Sequence, residues 1–253
     1  MALRQPAPLP ELAFHPATPE RWADLEALFG ERGACCGCWC MWWRLKRSQW
    51  EQQRGEGNKQ AFKQIVASGE VPGILAYAGG QAIGGCSVAP RETFSAMERS
   101  RTLKRIDDEP VWSIVCFFVA KPFRRKGVTV RLLRAAVEHV RSQGGKVVEG
   151  YPTRPEKGTA DAFVYMGLAS AFLQAGFEEV ARPSKTRSIM RLRLDTTPRD
   201  GYTKGKRAQT ARTNRFLQTN AMTRTSNRGT GPREWGSEAE SPRPRNVAKT
   251  PSE

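Results

Sequence analysis

The feature that most constrains the fold is an apolar run, Val111–Val119, that leads through a short basic segment into an amphipathic helix. The run is dense in β-branched and aromatic residues and lacks polar alternation, which is typical of a strand buried on both faces. After the basic segment, charged residues alternate at helical spacing with the apolar residues Val130, Leu133, Ala136, Val137 and Val140. The sequence therefore predicts a central strand followed directly by a helix that packs on it.

The segment between this strand and helix, residues 120–129, is predicted to bind an anion. A strand that runs straight into a helix leaves the first helical amides without partners, and the helix dipole adds partial positive charge there. Gly127 permits close approach of a ligand to the backbone, and Arg124, Arg125 and Lys126 add charge. The alternative is a solvated basic turn that binds nothing.

The other elements are also marked in the sequence. Two helical regions near the start begin at the capping residues Thr18 and Ser48. Two strand-like runs are joined by Gly79-Gly80, which predicts an antiparallel hairpin. Beyond the long helix we expect a strand, a short helix and a last strand, at 146–151, 168–175 and 187–194. The predicted order is β-α-α-β-β-β-α-β-α-β, with six strands.

Charge and composition divide the chain. Its 253 residues contain 41 Lys and Arg against 25 Asp and Glu, and the net charge of +16 favours contact with polyanions. Residues 195–253 are basic and poor in aliphatic side chains, which predicts a disordered tail with loose affinity for nucleic acid. We therefore expect a flexible N-terminus over residues 1–10 and one domain over 11–194. Without a long apolar segment or a disulfide framework, we expect a cytoplasmic protein with reduced thiols and no membrane contact.

A segment rich in cysteine and tryptophan, residues 35–44, follows the first helix. Cys35 and Cys38 have the spacing of half a zinc knuckle, but no second half follows, so no metal is expected. A redox Cys-x-x-Cys would open a helix in a βαβ unit, which is absent here. Buried soft residues are the simplest interpretation, and Cys116 is likewise expected to be a small core residue.

The residues around the basic loop resemble a known family. Phe118-Val119 followed by Arg124-Arg125-Lys126-Gly127-Val128-Thr129 resembles the Gln/Arg-x-x-Gly-x-Gly/Ala signature of the GNAT N-acetyltransferase superfamily, with Thr129 in place of Gly or Ala. The run 168–177 before Glu178-Glu179-Val180 resembles its helix ending in Gly-Phe. The similarity covers residues 11–194, and its nearest form is an uncharacterised bacterial branch with a Cys/Trp-rich segment after the first helix. It implies an α/β (α+β) fold with a mixed, mostly antiparallel sheet flanked by helices and a splay between the fourth and fifth strands.

The resemblance also implies acetyl-CoA as acyl donor. The pantetheine arm is expected along the fourth strand near Phe117 and Val119, and the pyrophosphate on Arg124, Arg125, Lys126, Gly127, Val128 and Thr129. The implied reaction is direct transfer of an acetyl group to a primary amine within a ternary complex. A larger acyl group stays open, because its pantetheine and pyrophosphate would occupy the same site. In this fold the Cys/Trp segment lines the acceptor side, so Trp39, Trp42 and Trp43 are candidate acceptor-binding residues through stacking or cation–π contact, although at least one of them is expected to pack in the core.

The usual acid and base of this family are missing. Ser113 falls where some members carry a glutamate base, and Phe172 falls where many carry an acid tyrosine. The sequence offers Glu149 and Tyr165 as replacements. The alternatives are a solvent-facing strand residue for Glu149 and a packed loop aromatic for Tyr165.

Two other classes of function stay open. The missing acid and base would suit a non-catalytic GNAT shell that binds acyl-CoA, and the basic tail would suit a nucleic-acid-associated protein. A homodimer is also left open. The sequence does not identify the acceptor.

Overall fold

The computed structural model describes residues 10–156 and 161–194. Its helices are α1 (Trp22–Phe29), α2 (Arg47–Gln52), α3 (Glu56–Ala67), α4 (Val128–Ser142) and α5 (Ala169–Gln174). Its strands are β1 (Leu12–Pro16), β2 (Gly73–Ala78), β3 (Gln81–Pro90), β4 (Trp112–Val119), β5 (Val147–Gly150), β6 (Glu178–Ser184) and β7 (Arg187–Arg193). The basic tail and nearly all of the N-terminal ten residues lie outside the described residues. Within the described ranges, no helix has the length and apolar character needed to cross a membrane.

The seven strands form one sheet in the order β1-β2-β3-β4-β5-β7-β6. Neighbouring strands are antiparallel except β4 and β5, which run parallel. β4 is the middle strand, as its apolar run predicts. The sheet is therefore mixed and mostly antiparallel, and helices flank it.

The hairpin prediction is confirmed, whereas the predicted strand count is wrong. Gly79 and Gly80 adopt φ of 56° and 81° in the turn between β2 and β3. At the other end of the chain, β6 pairs antiparallel with β7, so the sheet has seven strands instead of six. β6 is an edge strand of exposed and partly buried residues and therefore lacks strong apolar periodicity. The helix α2 begins at Arg47, which places the predicted cap Ser48 inside it.

Both faces of the sheet are covered. On one face, α4 and α5 pack through fully buried residues such as Leu132, Leu133 and Phe172. On the other face, α1 and α3 pack through Leu25 and Phe62. A third cluster lies under residues 91–111, the crossover segment that joins β3 to β4, and includes Phe94, Met97, Leu103, Tyr151 and Met166.

β4 contains a bulge at Val115. Ile114 pairs with Val88, but the next paired residue, Cys116, faces Ser87, so Val115 is an extra residue in the strand. As a result Val115 and Cys116 both contact the cluster under the crossover segment. Ile114 and Phe117 both contact the opposite cluster, around α4 and α5. The bulge lies where β4 parts from β5 and thereby shapes the site.

Candidate active site

β4 and β5 separate halfway along β4. Their parallel pairing joins Trp112, Ser113 and Ile114 to Val148, Glu149 and Gly150 and ends there. β4 continues to Val119, whereas β5 stops at Gly150. The opening lies between the fourth and fifth strands, where the family resemblance implied a splay.

The backbone edge of β4 faces this opening. The amide of Phe117 donates a hydrogen bond of 2.6 Å to the carbonyl oxygen of Tyr165. Val119 lies two residues further and presents its backbone to the same side, because alternate residues of a strand share an edge. The Val119 carbonyl accepts a hydrogen bond of 2.9 Å from Nε of Arg124. Groups of the protein itself thus occupy part of the edge predicted for pantetheine.

A basic loop connects β4 to α4. After a tight turn at Lys121–Phe123, Arg125 and Gly127 adopt left-handed φ of 60° and 77°. Arg124, Arg125, Lys126 and Gly127 are exposed, Thr129 is partly exposed, and Val128 is buried. The first amides of α4 cannot bond within the helix and are directed out of its N-terminus. The loop therefore combines exposed cations with amide donors, the two features expected of a phosphate site.

Glu149, a candidate base, lies in a buried ionic network. The residue is 2% exposed, and its Oε2 accepts a hydrogen bond of 2.6 Å from Nε of Arg191. Its Oε1 accepts bonds of 2.5 Å from the Tyr151 hydroxyl and 3.3 Å from Nη1 of Arg91. Both carboxylate oxygens are thus engaged, and the alternative of a solvent-facing strand residue does not apply to this buried side chain. Glu149 therefore lies buried between two guanidinium groups and a tyrosine hydroxyl, and its role as a base stays a prediction.

The network reaches the crossover segment. Arg191 also binds Asp107 through two hydrogen bonds, of 2.6 and 2.9 Å. Arg91, only 1% exposed, donates to the Leu103 carbonyl at 2.6 Å. Ser113, at the position of the family's glutamate base, is fully buried and lies 2.8 Å from the Tyr151 hydroxyl. These contacts fasten residues 91–111 to β4, β5 and β7.

Phe172 offers no chemistry at the position of the usual acid. Its ring is fully buried and makes edge-to-face contacts with Phe117 and Phe177, at centroid distances of 6.1 and 5.0 Å. It fills the space above Gly150, where an added Cβ would lie 2.1 Å from the ring. The end of β5 and the part of β4 around Phe117 are therefore packed against hydrocarbon at the opening.

Of the two predicted catalytic residues, Tyr165 lies at the opening, where its carbonyl oxygen meets the Phe117 amide. Its carbonyl contacts β4, and its side chain belongs to the same cluster as Cys116 and Trp43. Burial raises the pKa of the Tyr165 hydroxyl to about 12, and the neighbouring Cys116 acts in the same direction. The hydroxyl therefore keeps its proton at neutral pH and is a hydrogen-bond donor.

The three candidate tryptophans have different surroundings. Trp39 is 4% exposed and packs between Trp22 and Phe29. Trp42 is partly exposed, with the guanidinium of Arg47 4.3 Å from its ring centroid. Trp43 is partly exposed and joins the cluster of Tyr165. Core packing accounts for Trp39, as expected for at least one indole, and only Trp43 belongs to the cluster beside the opening.

Cys40 and Cys116 line one small internal cavity, which no local sequence pattern indicates. All six cysteines are free thiols. In the described part of the chain, no group of three or more His, Cys, Asp or Glu residues has the geometry of a metal site.

The opened, mostly antiparallel sheet and the cationic helix start beside it are the two features of the fold that the family resemblance implied. The sequence profile of the Acetyltransferase (GNAT) family matches residues 39–161, which include β4, the basic loop, α4 and β5. The family resemblance of the basic loop is thereby confirmed. No match was found among curated proteins.

Solved structures of GNAT proteins are similar to this chain at low identity. A putative acetyltransferase of the GNAT family from Desulfovibrio desulfuricans is 16% identical, with a TM-score of 0.43, over 72% of this chain and 99% of that one. The PaiA N-acetyltransferase from Thermoplasma acidophilum, solved with coenzyme A, is 14% identical with a TM-score of 0.42, over 73% of this chain and 99% of that one. A polyamine N-acetyltransferase from Drosophila melanogaster is 10% identical with a TM-score of 0.45, over 73% of this chain and 100% of that one.

Proposed function

We propose that this protein transfers an acetyl group from acetyl-CoA to a primary amine. The observation that carries the proposal is the juxtaposition, inside the matched GNAT domain, of the opening after Ile114 and the cationic start of α4. A ligand with an anionic pyrophosphate and a narrow polar arm would bind to both features. The start of the helix would bind the negative charge, and the edge of the strand would form hydrogen bonds with the arm.

The basic loop fits the pyrophosphate. Gly127 leaves open space on its outer side, since an added Cβ would meet no atom within 4 Å. Arg125 and Lys126 are exposed beside it, and the amides of Val128 and Thr129 open the helix. Thr129 contributes its amide in spite of its departure from the family pattern. These residues would hold the phosphates by charge and by backbone donors.

The edge of β4 would hold the pantetheine arm and the acyl group. Phe117 supplies the amide nearest the bulge, and Val119 supplies the next amide and carbonyl on the same side. In this structure the Phe117 amide donates its hydrogen bond to the carbonyl oxygen of Tyr165. The acyl oxygen of a bound donor would have to displace this carbonyl oxygen before the amide could polarise the acyl group. Donor binding is therefore coupled to a shift of the segment around Tyr165.

We assign Tyr165, and not Glu149, to proton transfer. Bound acetyl-CoA supplies the thioester that the amine attacks. The leaving thiolate has a solution pKa near that of cysteine, about 8.5, so the protonated Tyr165 hydroxyl would stabilise it by donating a hydrogen bond. In the described part of the chain neither Ser113 nor Glu149 is available as a base, so the attacking amine loses its proton to solvent. The acetylation rate then rises with pH up to the pKa of the acceptor amine.

Acetyl-CoA binding tests the proposal directly. Isothermal titration calorimetry compares the wild type with Gly127→Glu and with the matched control Gly144→Glu. Gly127 and Gly144 lie near opposite ends of α4, have φ of 77° and 76°, and leave an added Cβ equally free of contacts. Both variants thus carry the same strain and charge, and only Gly127→Glu places a carboxylate where the phosphates bind.

We expect micromolar binding that is retained in Gly144→Glu and weakened at least about tenfold in Gly127→Glu by charge repulsion. Turnover is then measured with a panel of primary amines by chromatography of released CoA, and propionyl-CoA shows whether larger acyl groups are accepted. Failure of the wild type to bind acetyl-CoA would refute the proposal. Binding without turnover on any amine would favour the non-catalytic shell, and binding to DNA that depends on residues 195–253 would favour nucleic-acid association.

A further inference from the structure

Two adjacent cysteines lie on the loop after α1, residues 30–46, and take no part in the proposed reaction. Both Cys35 and Cys36 are exposed free thiols, and their sulfur atoms lie 3.8 Å apart. The other four cysteines are partly or fully buried. Within the described part of the chain, Cys35 and Cys36 are therefore the pair of thiols most accessible to a reagent in solution.

The backbone of the loop places the two thiols side by side. In an extended chain, neighbouring side chains point in opposite directions. Here Cys35 is extended, with φ of −140° and ψ of 118°, whereas Cys36 adopts a left-handed φ of 53°. Non-glycine residues rarely adopt this conformation. The change of conformation at Cys36 brings both sulfur atoms to the same side of the loop.

Hydrogen bonds from neighbouring residues hold the loop in this conformation. The Nε of Arg54 donates to the Cys36 carbonyl oxygen at 2.7 Å. The Gly37 carbonyl oxygen accepts a bond of 3.1 Å from the Gly55 amide and one of 3.0 Å from Nδ2 of the fully buried Asn58. The two thiols are thus positioned by contacts in which their sulfur atoms do not take part.

A disulfide between these two thiols is disfavoured by their position in the chain. A trans peptide bond, the form of nearly all bonds without proline, sets adjacent Cα atoms about 3.8 Å apart, whereas disulfides usually need about 4.4–6.8 Å. Oxidation also begins with a thiolate, but burial and the neighbouring Cys36 raise the pKa of the Cys35 thiol. The pair is therefore better suited to share one bridging atom than to bond directly.

The separation of the sulfur atoms fits a single bridging atom. Two sulfur atoms bound at about 2.3 Å to one centre, the length of a zinc–thiolate bond, lie about 3.8 Å apart at a tetrahedral angle. Zinc itself needs two further ligands, and the described residues contain no group of three or more His, Cys, Asp or Glu that could hold a metal ion. A trivalent arsenic atom that already carries one organic group needs only two thiols.

We propose that Cys35 and Cys36 form a binding site for trivalent organic arsenicals. In water such a compound carries two hydroxyl groups on arsenic, R–As(OH)2. Each cysteine sulfur forms one bond to arsenic and each arsenic–oxygen bond breaks, while the two thiol protons leave with the hydroxyl groups as two water molecules. No atom is oxidised or reduced. The site requires neither acyl donor nor acceptor, so it is independent of the proposed function.

Phenylarsine oxide tests the site on the reduced full chain. Intact-protein mass spectrometry counts the phenylarsenic groups that remain after a wash with β-mercaptoethanol, a monothiol, and after a second wash with dimercaptopropanol, a dithiol. Two bonds to one arsenic atom resist a monothiol, because linking two binding groups increases affinity by about 10²–10⁴-fold. The variants are Cys35→Ser, Cys36→Ser and the matched control Cys38→Ser, which removes a partly buried thiol of the same loop.

The wild type and Cys38→Ser should retain one phenylarsenic group after the monothiol wash and lose it in the dithiol wash. Cys35→Ser and Cys36→Ser should bind at least about a hundredfold more weakly and lose the group in the first wash. Retention of the group in either of these two variants, or its loss from a folded Cys38→Ser, would overturn the proposal.

An alkylation map of the wild type stands alone if a variant fails to fold. Iodoacetamide is applied to the native complex and removed, the arsenic is then released with the dithiol, and the tryptic peptide 33–44 is sequenced. Cys35 and Cys36 should be alkylated in the free protein and protected in the complex. Alkylation of both thiols in the complex would contradict the assignment.

Discussion

The substitution Glu149→Gln separates a structural carboxylate from a catalytic base. The side chains of Glu149, Arg91 and Arg191 are 3%, 1% and 5% exposed, so neutralising the carboxylate leaves two guanidinium groups in the interior. Removing one partner of a buried ion pair costs about 3–5 kcal/mol. Arg191 keeps Asp107, and Arg91 keeps the Leu103 carbonyl, which reduces the loss. We therefore expect a destabilisation of about 2–3 kcal/mol.

Urea unfolding followed by tryptophan fluorescence measures this loss. For a domain of this size, 1 kcal/mol lowers the melting temperature by about 2–4 °C, so calorimetry should show a decrease of about 5–10 °C. Glu138→Gln is the control, because Glu138 forms an exposed pair with Arg141 on α4, and it should change stability by less than about 0.5 kcal/mol. If Glu149→Gln kept wild-type stability but lost acetylation, Glu149 would act as a base and not as a structural member of the ionic network.

Three further predictions concern the site, the packing beside it and the response to acid. Tyr165→Phe should lower kcat about a hundredfold and leave the calorimetric Kd for acetyl-CoA unchanged, because only the hydroxyl is lost; an equal loss of binding would contradict its role as proton donor. Gly150→Ala should destabilise the domain by about 1–3 kcal/mol in urea, since its Cβ would lie 2.1 Å from the buried Phe172 ring; unchanged stability would show that the ring moves freely. Hydrogen bonds lower the pKa of Glu179 from 4.5 to about 2, so stability from this group is complete above pH 4.5 and is lost as pH falls through 2. Acid titration of Glu179→Gln should show a weaker loss in that window, and parallel curves would disprove the assignment. The donors to Glu179 are Ser188, Arg154 and Arg182.

Elements with strong local patterns were predictable from the sequence. The helix α4 has an apolar stripe and ends near Gly144, and the β2–β3 hairpin turns at two adjacent glycines, so short-range rules suffice for both. β6 was missing from the predicted order because an edge strand with little burial has no clear period of two.

The candidate site was predictable only where its residues are contiguous. The basic loop was located from its own residues, whereas the environment of Glu149 depends on Arg91 and Arg191, which are 58 and 42 positions away. No local pattern reports such partners, and the carboxylate therefore looked like a free base. The cavity that Cys40 and Cys116 both line escaped prediction for the same reason, because it depends on a bulge in β4 and on left-handed residues in the loop after α1.

The bulge at Val115 has a consequence for how substitutions on β4 should be chosen. In an uninterrupted strand, Cys116 would point toward α4 and Phe117 toward the loop after α1, because side chains alternate strictly. Because of the single extra residue, Cys116 points away from α4 and Phe117 points toward it. From Cys116 onward, odd- and even-numbered side chains therefore face the opposite sides of the sheet from those that strict alternation predicts. Any redesign that counts alternation from Trp112 would therefore alter the wrong side of the sheet from Cys116 onward.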